Sequence, residues 1–438
     1  MLYVKVYRNM NLRTIMKAAL ITPFLSHLPL HPSSYLGYSA AVLRKKYELD
    51  IIDLNADTYY RNRQKLKEVL FDIDNRQIVS DSYDFHPFYY QLLNSVEKEL
   101  KQVHWSGYES VFITTPSWFT TVPTEDILKL SSIIKSESHS TEISFLGNSL
   151  GSWTNEESLV KHDIRIRHLN YPFKANPCNK PVDYDLLPTP VYKNRKRYIF
   201  DILPFRLKHG CIWGKCRFCS LAKGWNSGYM ERSAKNVIQE IEELIDKYNP
   251  EMLVCRDNSI NGNNLLEFCS CFEIFKKPWI GMARADLSNK EIEALQRAGC
   301  RFIYFGLESG SDRILNVINK GIGSRQISDF IKALYDHNIM PVPSLFVGTP
   351  GETENDFGKT VQFILSHKNY FDLINLYPLR MTPSSDFSLM KKESNSNTLI
   401  RLNKLISVCE DIGIKTCVGE QSAEYVLCKK VYPSHINY

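Results

Sequence analysis

Short apolar runs alternate with stretches of helical apolar spacing along most of this 438-residue chain. In the first part of the chain, the runs predict strands and the stretches between them predict helices. The predicted strands lie at residues 18–22, 49–53, 110–114 and 143–146, and the predicted helices at 35–47 and 125–135. Strands that alternate with helices favour a parallel, doubly wound sheet. We therefore predict a Rossmann-like domain over residues 16–171.

A second alternating series begins near Tyr198, after a segment (172–197) whose five prolines predict a linker. The apolar runs of this series lie at residues 198–203, 252–255, 279–282, 302–305, 342–347 and 373–377. Ser233 is the predicted N-cap of a helix with one apolar face. Because these βα units are too few for a closed eight-stranded barrel, they predict a partial (βα)6 TIM-like barrel over residues 198–387.

The predicted fold class is α/β, with an N-terminal doubly wound domain, a partial barrel and a short C-terminal segment (388–438) that helps to shape a substrate pocket. Parallel sheets of both kinds bind ligands at the carboxyl ends of their strands. We therefore expect the chemistry in the loops that follow strands.

Composition narrows the class of protein. A hydrophobic content of 43% and a charged content of 23% are typical of globular proteins. The net charge of +6 is mild and does not demand a nucleic acid partner. No segment approaches the ~20 apolar residues of a membrane span, and the N-terminus lacks the layout of a signal peptide. We therefore expect a cytoplasmic protein.

Three of the 11 cysteines lie together, in the run His-Gly-Cys-Ile-Trp-Gly-Lys-Cys-Arg-Phe-Cys that ends at Cys219. These are Cys211, Cys216 and Cys219, and they follow the first predicted strand of the barrel. Thiolates are the usual protein ligands of iron–sulfur clusters. Three thiolates leave one iron of a four-iron cube without a protein ligand, and that iron is then open to chemistry.

Zinc is the alternative metal, with His209 as the nearest candidate for a fourth ligand. The run lacks a second pair of Cys or His residues at the usual zinc spacing, so we favour the cluster. Among the scattered cysteines, Cys409, Cys417 and Cys428 are too widely spaced in sequence for a typical second metal site. We expect the scattered cysteines to be small buried side chains.

The order of motifs from about residue 198 to 387 resembles the radical S-adenosylmethionine (SAM) superfamily. Four residues separate the first two cysteines, where the usual family motif has three. The resemblance implies that Cys211, Cys216 and Cys219 bind a [4Fe-4S] cluster whose open iron chelates the amino and carboxylate groups of SAM. It also implies reductive cleavage of SAM to a 5′-deoxyadenosyl radical, with an electron donor such as flavodoxin or ferredoxin.

The same resemblance implies which residues surround SAM. Phe218 matches an aromatic residue that packs near adenine. Asp257 and Asn258 match the position that holds the SAM amino group, which needs acceptors, and an Asx-capped turn is the alternative. Arg284 is a candidate for binding the SAM carboxylate, with a structural ion pair as the alternative.

Two later motifs add SAM contacts to this resemblance. The run Tyr304-Phe-Gly-Leu-Glu308-Ser-Gly matches the fourth-strand region, where Glu308 accepts hydrogen bonds from SAM hydroxyls or amine. A helix-capping role is the alternative for Glu308. The run Phe346-Val-Gly-Thr-Pro-Gly-Glu352 resembles the fifth-strand motif, where Gly348 lets the backbone approach adenine and Glu352 orders the loop.

The N-terminal unit resembles the cobalamin-binding domain of class B radical SAM enzymes. The resemblance implies that loops at the strand carboxyl ends contact a corrinoid. The candidate contacts are Pro23, Gly37, Ser117, Gly147 and Gly151. The Asp-x-His-x-x-Gly signature that supplies a cobalt ligand elsewhere is absent, and neither His27 nor His31 matches it.

Together, these features predict a cobalamin-dependent radical SAM methyltransferase that acts on an unactivated carbon of a small molecule or a peptide. One alternative is a cobalamin-independent radical SAM enzyme with a degenerate N-terminal domain. Another is a zinc-stabilised protein that binds nucleic acid through the basic residues Lys208, Lys215, Arg217 and Lys223. Because no segment interleaves these charges with aromatic platforms, we do not expect nucleic acid as the partner.

Overall fold

The computed structural model describes residues 16–24, 28–75, 89–114, 124–146, 156–167, 184–219, 229–379, 385–390, 395–417 and 420–431. Over these ranges the chain forms two parallel sheets and one short antiparallel ribbon, with helices against the sheets. This arrangement confirms the predicted α/β class. Within the same ranges, no helix combines the length and the apolar character that crossing a membrane requires.

The first sheet lies in the N-terminal part of the chain. Its strands are β1 (Met16–Thr22), β2 (Tyr47–Asp53), β3 (Ser110–Ile113), β4 (Glu142–Leu146) and β5 (Arg165–Arg167). Its helices are α1 (Ser34–Leu43), α2 (Leu54–Arg61), α3 (Arg63–Asn75), α4 (Tyr89–Leu100), α5 (Thr124–Glu137) and α6 (Glu156–Lys161). The strand order is β2-β1-β3-β4-β5, and every pairing is parallel. The order reverses beside β1, so the crevice between β1 and β3 is the topological switch point, where such sheets bind ligands.

The second sheet is the partial barrel. The strands of this half are β6 (Ile202–Phe205), β7 (Lys208–His209), β8 (Met230–Glu231), β9 (Met252–Cys255), β10 (Trp279–Ala283), β11 (Cys300–Glu308), β12 (Met340–Val347), β13 (Leu373–Pro378) and β14 (Lys415–Cys417). Its helices are α7 (Ala234–Tyr248), α8 (Leu265–Phe272), α9 (Asn289–Arg297), α10 (Asp312–Val317), α11 (Ser324–Asp336), α12 (Glu354–His367), α13 (Asn395–Asp411) and α14 (Glu420–Val431). Seven parallel strands form the sheet, in the order β14-β13-β12-β11-β10-β9-β6, while β7 and β8 form the ribbon. The sheet does not close into a barrel.

Two details of this sheet differ from the sequence prediction. The first barrel strand begins at Ile202, because the preceding apolar residues pair with a loop of the N-terminal unit. The backbone N–H groups of Ile199 and Phe200 donate to the carbonyls of Pro29 and Leu30, each at 2.9 Å. The sheet also gains a seventh strand, β14, from the segment that was predicted to lie outside the barrel.

The two faces of the barrel sheet pack against different partners. Leu253 and Ile303 belong to the buried cluster that includes helices α7, α8, α9 and α11. Their strand neighbours Val254 and Phe302 belong to a second cluster, which contains residues of the N-terminal sheet and of α14. Because successive side chains of a strand point to opposite faces, α14 lies against the concave face of the partial barrel.

Buried polar contacts join the N-terminal unit to the barrel. The Tyr38 hydroxyl of α1 donates to Glu240 of α7 at 2.7 Å, and Glu240 pairs with Arg232 at 2.9 Å. The Tyr198 hydroxyl donates to Asp53, the last residue of β2, at 2.6 Å. These contacts fix the two sheets relative to one another. The exact limits of the predicted domains and linker remain a prediction.

Candidate active site

The three clustered cysteines lie on residues 210–219, here called the cysteine loop, which directly follows β7. Gly210 and Gly214 adopt positive φ angles of 76° and 56°, so the loop turns sharply at two positions that favour glycine. The N–H of Cys219 donates to the carbonyl of Cys216 at 3.2 Å. The side chains of all three cysteines, including that of Cys211, are partly exposed.

The cysteine loop is held against the segment that follows α10. The Trp213 indole N–H donates to the carbonyl of Asn319 at 2.9 Å, and the Asn319 amide donates to the carbonyl of Lys215 at 2.9 Å. The Arg217 N–H donates to a carbonyl of the same segment. A Cβ atom on Gly321 would lie 2.3 Å from the Trp213 ring, so this close approach requires glycine.

The cysteine loop supplies three thiolates, which are the usual protein ligands of iron–sulfur clusters. Among the described residues, no three His, Cys, Asp or Glu side chains converge on one point that could hold one ion. The thiolates of a four-iron cube bind separate corners, so they need not converge on one point. Burial raises the pKa of Cys216, and the nearby ammonium of Lys320 opposes this shift.

Five mostly buried cations lie near the carboxyl ends of the barrel strands, and each has a carboxylate partner. The pairs are Arg206–Asp257 (3.4 Å), Lys208–Glu231 (3.5 Å), Arg256–Glu424 (2.7 Å), Arg284–Asp286 (2.9 Å) and Lys320–Glu308 (2.6 Å). Burying a charge is costly unless it is paired. This face of the barrel therefore offers fixed donors and acceptors to a zwitterionic ligand such as an amino acid.

Asp257 and Asn258 have different roles in the structure. Asp257 is fully buried, and its Oδ2 accepts from the N–H groups of Leu207 and Lys208 at 2.9 and 3.0 Å. Asp257 thus fixes the backbone that leads into the cysteine loop. The Oδ1 of Asn258 is buried and has no hydrogen-bond partner among the described residues. The Oδ1 of Asp257 also has no hydrogen-bond partner among the described residues and lies 3.4 Å from the Arg206 Nε, so both predicted contacts for an ammonium group keep a buried acceptor.

Arg284 forms the structural ion pair that was its alternative role. Its Nε donates to Asp286 at 2.9 Å, and its Nη2 donates to the carbonyl of Lys320 at 3.0 Å. Its guanidinium lies 5.1 Å from the centroid of the Trp213 ring. Arg284 therefore links the cysteine loop to the segment after α10.

Glu308 ends β11 in a strained conformation. Its φ of 63° lies in the left-handed region, and the pairing with β12 shifts between Gly306 and Glu308. Non-glycine residues in this region are held there by their surroundings and cluster at functional sites. Its carboxylate pairs with the buried ammonium of Lys320. The alternative role of helix cap does not apply, because Ser311 is the N-cap of α10.

Lys320 was not assigned as a site residue from the sequence, although it belongs to the run Ile318-Asn-Lys-Gly321 in the fourth-strand region. A Cβ atom on Gly306 would lie 2.5 Å from the Lys320 Nζ, so the ammonium reaches the strand itself. The Lys320–Glu308 pair is thus built into the carboxyl end of β11, beside Cys216.

The remaining predicted SAM contacts lie around the end of β12. The ring centroids of Phe218 and Phe346 are 4.9 Å apart in an edge-to-face arrangement. Gly348, with a φ of 89°, donates its N–H to Glu352 at 3.0 Å. Glu352 also pairs with Arg401 of α13 at 3.2 Å. Glu352 therefore orders this loop, and α13 fastens it.

Residues 206–364 of this chain match the radical SAM superfamily. The chain therefore contains a radical SAM domain. The matched range contains the cysteine loop and the strand ends β9 to β12. The protein is therefore a radical SAM enzyme, and the zinc-stabilised nucleic-acid-binding alternative is not favoured.

Curated relatives of this radical SAM enzyme include transferases of one-carbon groups. An uncharacterized methyltransferase of Pyrococcus horikoshii is 25% identical over 353 residues, which cover 76% of this chain and 72% of the relative. The ribosomal protein uS12 methylthiotransferase RimO of Thermotoga maritima is 26% identical over 195 residues, which cover 40% of this chain and 45% of the relative. The chain thus spans less than half of that methylthiotransferase.

Two solved structures share the fold of both units. The methyltransferase TsrM from Kitasatospora setae, with cobalamin and a [4Fe-4S] cluster bound, has a TM-score of 0.58 and 14% identity, covering 85% of this chain and 77% of TsrM. The cobalamin-dependent enzyme OxsB, with aqua-cobalamin and SAM bound, has a TM-score of 0.58 and 13% identity, covering 96% of this chain and 62% of OxsB. At these identities the likeness establishes the fold alone: a doubly wound N-terminal domain followed by a partial barrel.

The predicted cobalamin contacts lie partly outside the described residues of this radical SAM enzyme. Ser117, Gly147 and Gly151 fall outside them, whereas Pro23 is buried directly after β1. A Cβ atom on Gly37 would lie 2.5 Å from the Tyr192 ring, so the close approach at Gly37 is to the protein itself.

Two threonines that the sequence analysis did not single out lie at the switch point. Thr22 ends β1, and Thr114 directly follows β3 and donates its N–H to the carbonyl of Ile21 at 2.8 Å. Both are at most 1% exposed, and neither hydroxyl has a hydrogen-bond partner among the described residues. Since buried hydroxyls are normally paired, this crevice has polar groups to offer a ligand.

His31, Arg256 and Glu424 form what we call the junction cluster. The Glu424 carboxylate lies 2.7 Å from Arg256 Nη2 and 3.1 Å from His31 Nε2. The other ring nitrogen of His31 lies 2.9 Å from the Pro32 carbonyl, so both nitrogens face protein atoms. His31 follows β1 and Arg256 follows β9. The junction cluster therefore joins the loop after β1 to the carboxyl end of β9 and to α14.

The junction cluster predicts a specific acid sensitivity. Burial alone raises the pKa of Glu424, but Arg256 and His31 lower it to about 2. A depressed carboxylate pKa stabilises the fold above the ordinary value of ~4.3, and this stabilisation is lost as the pH falls toward 2. We expect about 3 kcal/mol of the free energy of unfolding to be lost in this window through Glu424.

Denaturant unfolding of the wild type and of Glu424→Gln between pH 6 and pH 2.5 measures this loss. The wild type should be more stable near neutral pH, and the difference should shrink as the pH falls. A difference that stays constant over this range would contradict the role of the ionised carboxylate.

Proposed function

We propose that this radical SAM enzyme binds cobalamin and methylates an unactivated carbon of a small molecule or a peptide. The observation that carries the proposal is the buried pair of unpaired hydroxyls, Thr22 and Thr114, at the switch point of the N-terminal sheet. The fold shared with TsrM and OxsB and the methyltransferase name of a relative support it.

The arrangement of the two sheets supports chemistry between them. His31 in the loop after β1 contacts Arg256 at the carboxyl end of β9, and this contact supports the proposal that the two cofactor sites open toward the same region. Helix α14 packs on the concave face of the barrel, and its Glu424 closes the junction cluster. A substrate held there would contact both cofactor sites and be shielded from water.

Different residues of the chain bind the cluster and SAM. Cys211, Cys216 and Cys219 hold the cluster, and Asn258 accepts from the SAM ammonium. The Lys320–Glu308 pair offers a donor and an acceptor for the carboxylate and the ribose of SAM. When bound, the cluster supplies the electron that cleaves the sulfonium bond, and the corrinoid supplies the methyl group.

Corrinoid binding to Thr22→Val and Thr114→Val tests the proposal directly. Valine keeps the shape of threonine, and because these hydroxyls have no protein partner, the variants should unfold at the same temperature as the wild type or above it. Each lost hydrogen bond to a ligand costs about 0.5–1.5 kcal/mol, so the double variant should bind hydroxocobalamin roughly 5- to 150-fold more weakly.

Absorbance spectra of anaerobically purified protein, supplied with hydroxocobalamin, measure the corrinoid content. If the double variant bound hydroxocobalamin as tightly as the wild type, the corrinoid site would not be at the switch point. Wild-type protein that repeatedly binds no corrinoid but still cleaves SAM would leave the cobalamin-independent radical SAM enzyme as the better description.

A further inference from the structure

Asn375, in the middle of β13, carries a buried polar atom that the fold does not use. The residue is 0% exposed, and its amide nitrogen donates to the Tyr377 hydroxyl. Its Oδ1 has no hydrogen-bond partner among the described residues. Because a buried acceptor is normally paired, we propose that the Asn375 Oδ1 accepts a hydrogen bond from an uncharged N–H or O–H group of the substrate. The inference rests on the proposed function, since it names a chemical feature of the substrate of that enzyme.

The side chain of Asn375 lies on the concave face of the partial barrel. Leu373, two residues earlier, belongs to the buried cluster that contains residues of α14 and of the N-terminal sheet. The strand neighbours Ile374 and Leu376 belong instead to the cluster that includes the outer helices. Since side chains alternate along a strand, Asn375 and Tyr377 share the face of Leu373. Asn375 is therefore one layer closer to the carboxyl ends of the strands than the residue that packs with α14.

A row of strand pairings leads from Asn375 to the proposed SAM site. Asn375 lies opposite Ser344 of β12, which is partly exposed and lies opposite Gly306 of β11. A Cβ atom on Gly306 would collide with the carboxylate of Glu308, the partner of Lys320. Neighbouring strands are about 4.8 Å apart, so Asn375 lies roughly 10 Å across the sheet from Gly306. A substrate held by Asn375 would thus lie beside SAM.

The charges of the concave face distinguish a SAM side from a substrate side. The carboxyl ends of β6, β9, β10 and β11 carry the buried ion pairs described above. The concave side chains of β12 and β13 are all uncharged, and they are Val342, Ser344, Leu373, Asn375 and Tyr377. A substrate ammonium placed on this side would lack a carboxylate partner, and burying an unpaired charge is costly. The donor that Asn375 accepts is therefore a neutral one.

The test uses two pairs of neutral probes whose members differ only in methylation of their donor groups. The N–H pair is N-acetylglycine methylamide and N-acetylsarcosine dimethylamide, and the O–H pair is propane-1,2-diol and 1,2-dimethoxypropane. Dissociation constants are measured by ligand-observed NMR titration of the reconstituted, full-length enzyme with SAM bound and no reductant present.

The variants separate the Asn375 acceptor from other buried polar groups. Asn375→Leu removes the amide at similar volume, and Asn375→Val, which suits a strand, provides a second variant. The matched control is Thr416→Val on β14. Thr416 is 2% exposed and its hydroxyl also has no partner among the described residues. Its strand partner Ile374 faces the outer helices, so Thr416 lies on the opposite face of the sheet from Asn375.

We expect the wild type to bind the donor-bearing member of one pair roughly 2- to 12-fold more tightly than its methylated partner, the effect of one neutral hydrogen bond. This preference should vanish in both Asn375 variants and persist in Thr416→Val, and the pair that shows it identifies the donor as N–H or O–H. No preference in the wild type, or a preference that persists without Asn375, would overturn the inference. Failure of the proposed function would appear separately, as wild-type protein that binds no hydroxocobalamin.

Discussion

Replacement of Cys216 by alanine is expected to abolish the formation of 5′-deoxyadenosine from SAM. Cys216 is the middle ligand of the cysteine loop, and its loss leaves only two thiolates for a cube that needs three protein corners. Because changes even to the partners of metal ligands cost 10- to 100-fold, loss of a ligand itself should lower activity by more than about 100-fold. The measurements are iron per chain after anaerobic reconstitution and chromatography of the nucleoside product.

The matched control is Cys271→Ala. Cys271 is exposed on α8, on the outer side of the barrel, and is not part of the cysteine loop. This variant should reconstitute to about four irons per chain, as the wild type does, and keep full activity. If Cys216→Ala still produced 5′-deoxyadenosine at the rate of the wild type, the ligand assignment would be refuted.

The largest expected effect on stability is that of Glu240→Ala. Glu240 is 2% exposed, it accepts a hydrogen bond from Tyr38 of the N-terminal unit, and it pairs with Arg232, which is 1% exposed. Removing one partner of a buried ion pair leaves the other charge buried alone, which costs about 3–5 kcal/mol. The cost should appear as a lower free energy of unfolding in the first denaturant transition.

Two further variants test whether the loss of stability comes from the buried charge of Glu240. Glu242→Ala removes an exposed glutamate of the same helix and should change the free energy of unfolding by less than about 0.5 kcal/mol. Glu240→Gln keeps the volume of the side chain but removes its charge, so it should lose a large part of the same stability. If Glu240→Ala and Glu242→Ala were equally stable, the contact between α1 and α7 would not contribute as described.

Much of the fold could be predicted because most core strands are apolar runs. The run at residues 252–255, for example, is the observed β9, since every residue of it is buried. The four missed strands are short: β5 and β14 have three residues each, and β7 and β8 have two. The run Arg-Ile-Arg of β5, for example, carries no apolar signal. The missed strands form through pairing with a neighbour, which short polar runs do not reveal.

In the candidate site, too, some features could be predicted from the sequence and others could not. Cysteine spacing identified the cluster ligands, because they lie within nine residues of one another. The sequence did not show the second role of Asp257, since only the folded chain shows that two backbone N–H groups donate to its Oδ2. Arg256 and Glu424 lie 168 residues apart, and no local pattern connects them.

The amino-acid sequence by itself determined the kinds of element, their alternation and the three thiols of the cysteine loop, because apolar periodicity and ligand spacing are local properties. Only the tertiary structure decided which charges are buried together at the carboxyl face, how the two sheets face each other, and that α14 lies against the concave face. These features depend on contacts between residues far apart in the chain, and a buried charge or hydroxyl acquires its role from whatever the fold places beside it.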